Sequence, residues 1–305
     1  MHTLLVRNLY VTADCTAGKT DIVRGLRFCA DCGERLAIVG ESGCGKTMTA
    51  MAITGTLPAN CAESGEILLD GISLDKLSRR KLNAMRGNEI VYVPQSGAEF
   101  LNPSLKIGTQ VTESVAKNGV PRNGRKRESF KRLCAAGLDN AGEILEKYPF
   151  EISGGQAQKV VLAMSASPAA KLVIADEPTK GIDEEAAKRF LDGLDEIFGS
   201  AAIIVITHNI SIAARTDKLL VMFQGEAVEY GPTEEILAQP FHPYTKSLIA
   251  ALPENGLKAD SEFALPPKGK GCPYSGRCPK ATPLCQSISP EERHLGERMW
   301  RCHHA

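Results

Sequence analysis

The stretch that decides the fold is Arg35-Leu-Ala-Ile-Val-Gly-Glu-Ser-Gly-Cys-Gly-Lys-Thr47. Leu36 to Val39 is an unbroken apolar run, which reads as a buried strand. Gly40, Gly43 and Gly45 space a tight turn, and Lys46-Thr47 lead into a helix-compatible run, Met48 to Thr56. The pattern is G-x-x-x-x-G-K-[ST], a phosphate-binding P-loop. Glycine lets the backbone curl close to a polyphosphate. The freed N–H groups and the positive helix N-terminus then face the anion. Glu41, Ser42 and Cys44 fill the remaining loop positions. Lys46 supplies a point charge to the β- and γ-phosphates, and the Thr47 hydroxyl is a ligand for Mg²⁺. Residues 40–47 therefore read as a nucleotide-binding loop.

Working outward, three more apolar runs of the buried parallel type occur at Ile90 to Val93, Lys171 to Ala175 and Ala201 to Thr207. They lead into Gln95, Asp176-Glu177 and His208, where an open α/β sheet presents its ligand groups. Asp176 fits a Mg²⁺-holding carboxylate, and Glu177 is placed to orient or deprotonate a water. Residues 3–30 and the segment Gly65 to Gly71, closed by an Asp-Gly turn, group as a small antiparallel layer. The stretch 104–168 is helix-rich. A hairpin, Leu219 to Tyr230 turning at Gln224-Gly225, precedes a helix capped by Thr233 with Glu234 and Glu235 in its first turn. Prolines thicken from Pro240 onward, and a domain boundary is placed there.

Composition bounds these readings. A chain of 305 residues suffices for one large or two ordinary domains. Hydrophobic residues at 43% and charged residues at 24% suit a soluble globular protein with a real core. Lys+Arg and Asp+Glu both number 36, so no bulk field favours nucleic acid or an anionic membrane. Arg122 to Arg132 carries six basic residues but is interrupted by Glu128, and reads as a solvated helix face. No run reaches the eighteen or so apolar residues of a membrane span, and the N-terminus lacks a signal-peptide layout. The expectation is a chain that stays in the cytoplasm.

Ile152-Ser-Gly-Gly-Gln-Ala-Gln158 completes the pattern. Together with the P-loop, Gln95, Asp176-Glu177 and His208, in that family's order, it resembles the ATP-binding subunits of ABC transporters. The resemblance implies an α/β fold: a P-loop NTPase (RecA-like) core, an antiparallel β subdomain and an inserted α-helical subdomain at about 97–168. Residues 1–239 would form this nucleotide-binding domain, and 240–305 a small Cys-rich C-terminal extension. Ser153, Gly154, Gly155 and Gln156 would contact the nucleotide held by the opposite subunit of a dimer. Gln95 would sense Mg²⁺ or the attacking water, and His208 would contact the γ-phosphate. The implied activity is ATP hydrolysis coupled to transport, on the cytoplasmic face of the membrane. The implied partners are a second ATPase, identical or related, two permease subunits and, indirectly, an extracytoplasmic binding protein; no nucleic acid is expected. A ribosome- or DNA-acting ABC ATPase and a metal- or redox-sensing regulator are the alternatives.

Tyr148-Pro-Phe-Glu, Phe241-His-Pro-Tyr-Thr-Lys-Ser-Leu248 and the cysteine tail make the likeness strongest to importers of oligopeptides, dipeptides or nickel and metal chelates. Three departures from the family pattern stand out: Ala13 where an aromatic residue usually stacks on adenine, Lys180 in the segment Lys180-Gly-Ile-Asp183, and Asn209 after the histidine.

Ten cysteines are present, and Cys272, Cys278, Cys285 and Cys302 fall in the last 34 residues. Thiols in a reducing compartment point to a metal site rather than disulfides. Four thiolates suit either a [4Fe–4S] cluster or tetrahedral Zn²⁺, and their intervals match neither standard spacing. The family likeness tilts the choice to iron–sulfur, with His303 and His304 as substitute ligands or bystanders. Cys29-x-x-Cys32 lacks a thioredoxin-like context. Cys44 fills a variable loop position, and occupancy of a tolerant position is the favoured reading over a thiol whose pKa is lowered by the helix N-terminus.

Overall fold

A computed structural model of the chain describes residues 2–16, 18–95, 97–179, 184–251 and 271–305. Its strands are β1 (Leu4–Cys15), β2 (Gly18–Ala30), β3 (Arg35–Val39), β4 (Cys61–Leu69), β5 (Ile72–Ser73), β6 (Ile90–Val93), β7 (Leu172–Asp176), β8 (Ala202–Thr207), β9 (Lys218–Phe223), β10 (Glu226–Pro232), β11 (Arg293–Leu295) and β12 (Arg298–Trp300). The segment Lys180-Gly-Ile-Asp183 lies outside the described residues.

Five strands pair in parallel in the order β6-β7-β8-β3-β9. Each is short and almost wholly apolar, as burial on both faces demands. Every residue of β7 and of β8 is buried. Successive residues divide between the two faces of the sheet. Leu172 and Ile174 join Ile38 and Ile204 in one core, whereas Val173 and Ala175 join Val91 and Ile203 in another. Each fully buried side chain of this kind contributes about 1.5–3 kcal/mol.

The first core also holds the antiparallel sheet, ordered β2-β1-β4-β5, and the helix Lys46–Thr54 that follows the P-loop. Asp70 and Gly71 take φ of 48° and 78° in the β4–β5 turn, and Gln224 and Gly225 take 45° and 85° between β9 and β10. These are the left-handed pairs that tight hairpins require.

The second core lies under the helices Ile107–Lys117, Arg125–Ala135, Ala141–Glu146 and Gly154–Ser165. Ile107, Val111 and Val115 recur every four residues and form the buried stripe of the first of these. The basic run is not wholly a solvated face. Arg132 is buried and donates to the Glu128 carboxylate, the Asn118 side chain and the Ala166 carbonyl.

Two further details depart from the sequence reading. Thr233 does not cap its helix: it is the first helical residue of Thr233–Ala238, after Pro232, and its N–H donates to the Asp217 carbonyl. Residues beyond 240 also return to the main sheet. β12 pairs with β10 in antiparallel register, Glu229 opposite Trp300 and Tyr230 opposite Met299, and β11 adds the outer edge. The fully buried Glu229 carboxylate anchors this junction, accepting from the Phe241 and His242 N–H groups and pairing with Arg298 at 2.9 Å. A buried ion pair holds when its remaining lone pairs are satisfied in this way.

Candidate functional site

The carboxyl ends of β3, β6, β7 and β8 converge on one cleft of about 460 Å³. Ser42, Gly43, Gly45, Lys46, Thr47, Gln95, Glu177 and His208 line it, with Ile22 and Met48. Thus the loop, the residue after β6, the second carboxylate and the histidine meet in space, although they span 166 positions from Ser42 to His208.

Close packing dictates the glycines. A Cβ on Gly40 would collide with the Met222 carbonyl of β9. Gly45 has φ of 104°, and a Cβ there would come within 2.9 Å of the Ile22 carbonyl. Lys46 is buried and donates from Nζ to the carbonyls of Gly40 at 2.7 Å and Glu41 at 3.0 Å. Its ammonium is thus held inside the loop. Thr47 is exposed to the cleft. Cys44 is buried, and burial pushes its thiol pKa up. This goes against a thiol lowered by the helix N-terminus: desolvation outweighs the pull of Lys46.

Asp176 ends β7 and is almost wholly buried. One carboxylate oxygen accepts from the Tyr92 hydroxyl at 3.0 Å. The other, Oδ1, is buried with no hydrogen-bond partner among the described residues. Leaving an anionic oxygen unpaired is costly unless a cation takes it, so the donor set of Asp176 and Thr47 fits Mg²⁺. Glu177 takes φ of 45°, a left-handed conformation rare for a carboxylate, and its N–H donates to the Ile206 carbonyl. Backbone strain of this kind gathers at functional positions. Its Oε2 lies 2.8 Å from His208 Nδ1, with the ring N–H donating to the carboxylate. The cleft therefore joins an ammonium, a hydroxyl and a carboxylate–imidazole pair, while Asp176, one residue before Glu177, is buried and is not among its lining residues. Such a set can hold a metal polyphosphate and activate water beside it.

Ser153, Gly154, Gly155 and Gln156 do not line this cleft. They open the helix Gly154–Ser165, with Ser153 as N-cap. Ser153 Oγ accepts from the Gln156 N–H, and Gln156 Oε1 accepts from the Ser153 N–H. This reciprocal box fixes the turn. Ser153 and Gly154 are exposed, so the helix N-terminus faces outward.

The family model described as "ABC transporter" matches residues 23–180. The dipeptide transport ATP-binding protein DppD of Bacillus subtilis is 34% identical over 94% of this chain and 90% of its own length. The oligopeptide transport ATP-binding protein OppD of Haemophilus influenzae is 37% identical, over 95% and 94%. The chain belongs to the ABC transporter family. A second match, "Oligopeptide/dipeptide transporter, C-terminal region", covers residues 228–285. Among solved ABC proteins, the cassette MJ0796 bound to ADP and phosphate superposes with a TM-score of 0.66, over 75% of this chain and 98% of that one. At 22% identity that likeness speaks to fold alone. CbiO1 of Clostridium perfringens gives 0.66 at 26% identity, over 83% and 96%.

Ala13 is buried in β1, opposite Thr20 of β2, and presents no ring. The apolar residue lining the cleft from this layer is Ile22. Tyr10 packs its hydroxyl end against Gly25.

Sequence reasoning missed four partners of this ABC site. Tyr92 holds Asp176. Gln158 bridges the helix Gly154–Ser165 to the segment after β6, donating to the Pro94 carbonyl at 3.0 Å and accepting the Gly97 N–H at 2.8 Å. Tyr244 and Arg277, from the C-terminal region, both reach Glu41. Gln158 and Tyr244 lay within motifs already singled out, but nothing local announced their distant contacts.

The tail cysteines come together. Cys272 feels Cys285, Cys302 and Cys278, and burial foremost pushes its thiol up to about 11. Cys285 Sγ lies 3.2 Å from His304 Nε2, whereas His303 Nε2 meets the Ile288 carbonyl. Among the described residues, no group of three or more His, Cys, Asp or Glu side chains has the spacing to hold a metal ion. No helix among them is long and apolar enough to cross a membrane.

Proposed function

We propose that this chain is the ATP-hydrolysing subunit of an ABC importer that takes up peptides. One observation carries the reading: the likeness to peptide-transport ATP-binding proteins runs through the C-terminal region as well as the cassette. The oligopeptide protein OppD of Escherichia coli is 34% identical over 98% of this chain.

In this account, residues 40–47 hold the phosphates of ATP, with Lys46 turning from the loop carbonyls to the β- and γ-oxygens. Thr47, Gln95 and Asp176 hold Mg²⁺, which neutralises phosphate charge when bound. Glu177 orients and deprotonates the attacking water, and His208 steadies Glu177 and the γ-phosphate. Ser153 to Gln156 serve the nucleotide of a second cassette, by the anion-binding logic of a helix N-terminus. Two permease subunits receive the motion through Gln95 and the helical region. A binding protein outside the membrane delivers the peptide, and the cassette pair works from the cytoplasmic face.

We further propose that the four tail thiols, which do not stand at metal-holding spacing in this structure, would close on a [4Fe–4S] cluster, with Zn²⁺ as the other metal their chemistry suits. Iron and acid-labile sulfide in anaerobically purified protein are expected. Zinc alone would assign the tail to zinc.

The transport reading is tested in cells whose natural gene is replaced by the Lys46→Ala form. Uptake of labelled di- and oligopeptides should fall at least a hundredfold, on the order expected when a phosphate-binding charge is removed. Unchanged peptide uptake, or loss of nickel uptake in its place, contradicts the peptide reading.

A further inference from the structure

Glu41 is gripped at three points, two of them by the C-terminal region. Its N–H donates to the Tyr244 hydroxyl at 3.0 Å. Its carboxylate pairs with Arg277 Nη1 at 2.8 Å. Its carbonyl accepts from Lys46 Nζ at 3.0 Å. Anything that shifts Glu41 therefore shifts the lysine ammonium.

The two outside contacts are built in. Tyr244 follows His242 and Pro243 at the start of the helix Pro243–Ala250 and is 1% exposed. Its ring packs on Phe223 of β9 at 4.7 Å and on Tyr274 at 5.4 Å, which aims the hydroxyl at the loop. His242 Nδ1 accepts the Tyr244 N–H at 3.1 Å and sets the helix start. Arg277 directly precedes Cys278 and lies over the rings of Phe223 and Tyr274, at 5.8 and 5.7 Å. Two aromatic faces hold the guanidinium in place for the carboxylate.

Chemically, the two contacts do different things. A carboxylate beside a polyphosphate site repels it, and Arg277 cancels that charge. An N–H that is free to rotate leaves the loop without a fixed path, and Tyr244 fixes it.

We infer that Tyr244 and Arg277 are positioning residues for the phosphate loop, so that the C-terminal region sets the nucleotide affinity of the cassette. The inference rests on residues 40–47 being the nucleotide site. Neither residue touches the cleft; both act through Glu41.

The test is the Kd of Mg-ATP, measured on the full chain by titration calorimetry. Tyr244→Phe removes one hydroxyl and keeps the aromatic packing. It should weaken ATP about fivefold, the usual worth of one hydrogen bond. Arg277→Ala should weaken ATP about tenfold, and Arg277→Lys should restore most of it. In a Glu41→Gln background, Arg277→Ala should change Kd by less than twofold, because the charge to be cancelled is gone. Kd values within twofold of the parent for both Tyr244→Phe and Arg277→Ala overturn the inference. So does an Arg277→Ala effect that is undiminished in the Glu41→Gln background. If the parent itself fails to bind Mg-ATP, the reading of residues 40–47 fails instead, and Lys46→Ala will match it.

Discussion

At the scale of single residues, the proposed chemistry concentrates on Glu177. It is the second of two adjacent carboxylates, and the first, Asp176, is turned inward to Tyr92. The left-handed φ of Glu177 swings its side chain away from the strand and onto His208. Replacing Glu177 by Gln keeps shape and hydrogen bonding but removes the basic oxygen. Steady-state ATP hydrolysis should fall by about 10²–10⁴, the range for losing a general base, while ATP binding stays within about twofold of the parent. Hydrolysis assays and binding titrations on one preparation separate these, and near-normal turnover removes Glu177 from this role. On this account the charge of Lys46 serves affinity instead, its Nζ being held at the loop carbonyls.

At the scale of elements, what could be read in advance followed from local chemistry. β3, β7 and β8 were legible because burial on both faces demands an unbroken apolar run, and few other structures tolerate one. The hairpin turns were legible because Asp-Gly and Gln-Gly supply the required positive φ. That the loop, Glu177 and His208 reach one cleft follows from their place after those same strands, and Gln95 joins them after β6; Asp176 ends β7 but does not line the cleft. β11 and β12 were not legible. Each is three residues long, too short for an alternating or continuous apolar pattern to show. Pairing with β10 makes β12 a strand, and pairing with β12 makes β11 one. Gln158, Tyr244 and Arg277 escaped for another reason: their partners lie 64, 203 and 236 positions away. Thr233 looked like a cap by composition, but Pro232 already fixes the helix entry.

The helix Pro243–Ala250 carries its own prediction. Burial lowers the His242 pKa to about 4, so the ring is neutral when folded and accepts the Tyr244 N–H through Nδ1. The unfolded chain has the ordinary value near 6.5 and so binds more protons between pH 6.5 and 4. Stability therefore falls as pH drops through that window, by about 3 kcal/mol at its foot. Chemical denaturation at pH 7.5, 5.5 and 4.5 should show this loss. His242→Asn, which still offers an acceptor to the helix N-terminus, should flatten that part of the profile. An unchanged profile in His242→Asn contradicts the assignment.

At the scale of the whole molecule, one sheet runs from β6 to β11 and carries both the nucleotide loop and the C-terminal strands. The region matching oligopeptide/dipeptide transporters is thus continuous with the cassette through the β9–β10 pair, the Glu229–Arg298 pair and the contacts to Glu41. The cleft holds the loop, Gln95, Glu177 and His208, whereas the helix N-terminus at Ser153 faces away from it. On this account a single chain holds one half of each of two sites, and the halves meet when two cassettes close on ATP. The most direct measurement is the mass of the Glu177→Gln chain by light scattering, with and without Mg-ATP. The account predicts a doubling on adding ATP that Ser153→Arg abolishes while ATP still binds. A Glu177→Gln chain that stays monomeric with ATP bound would contradict it.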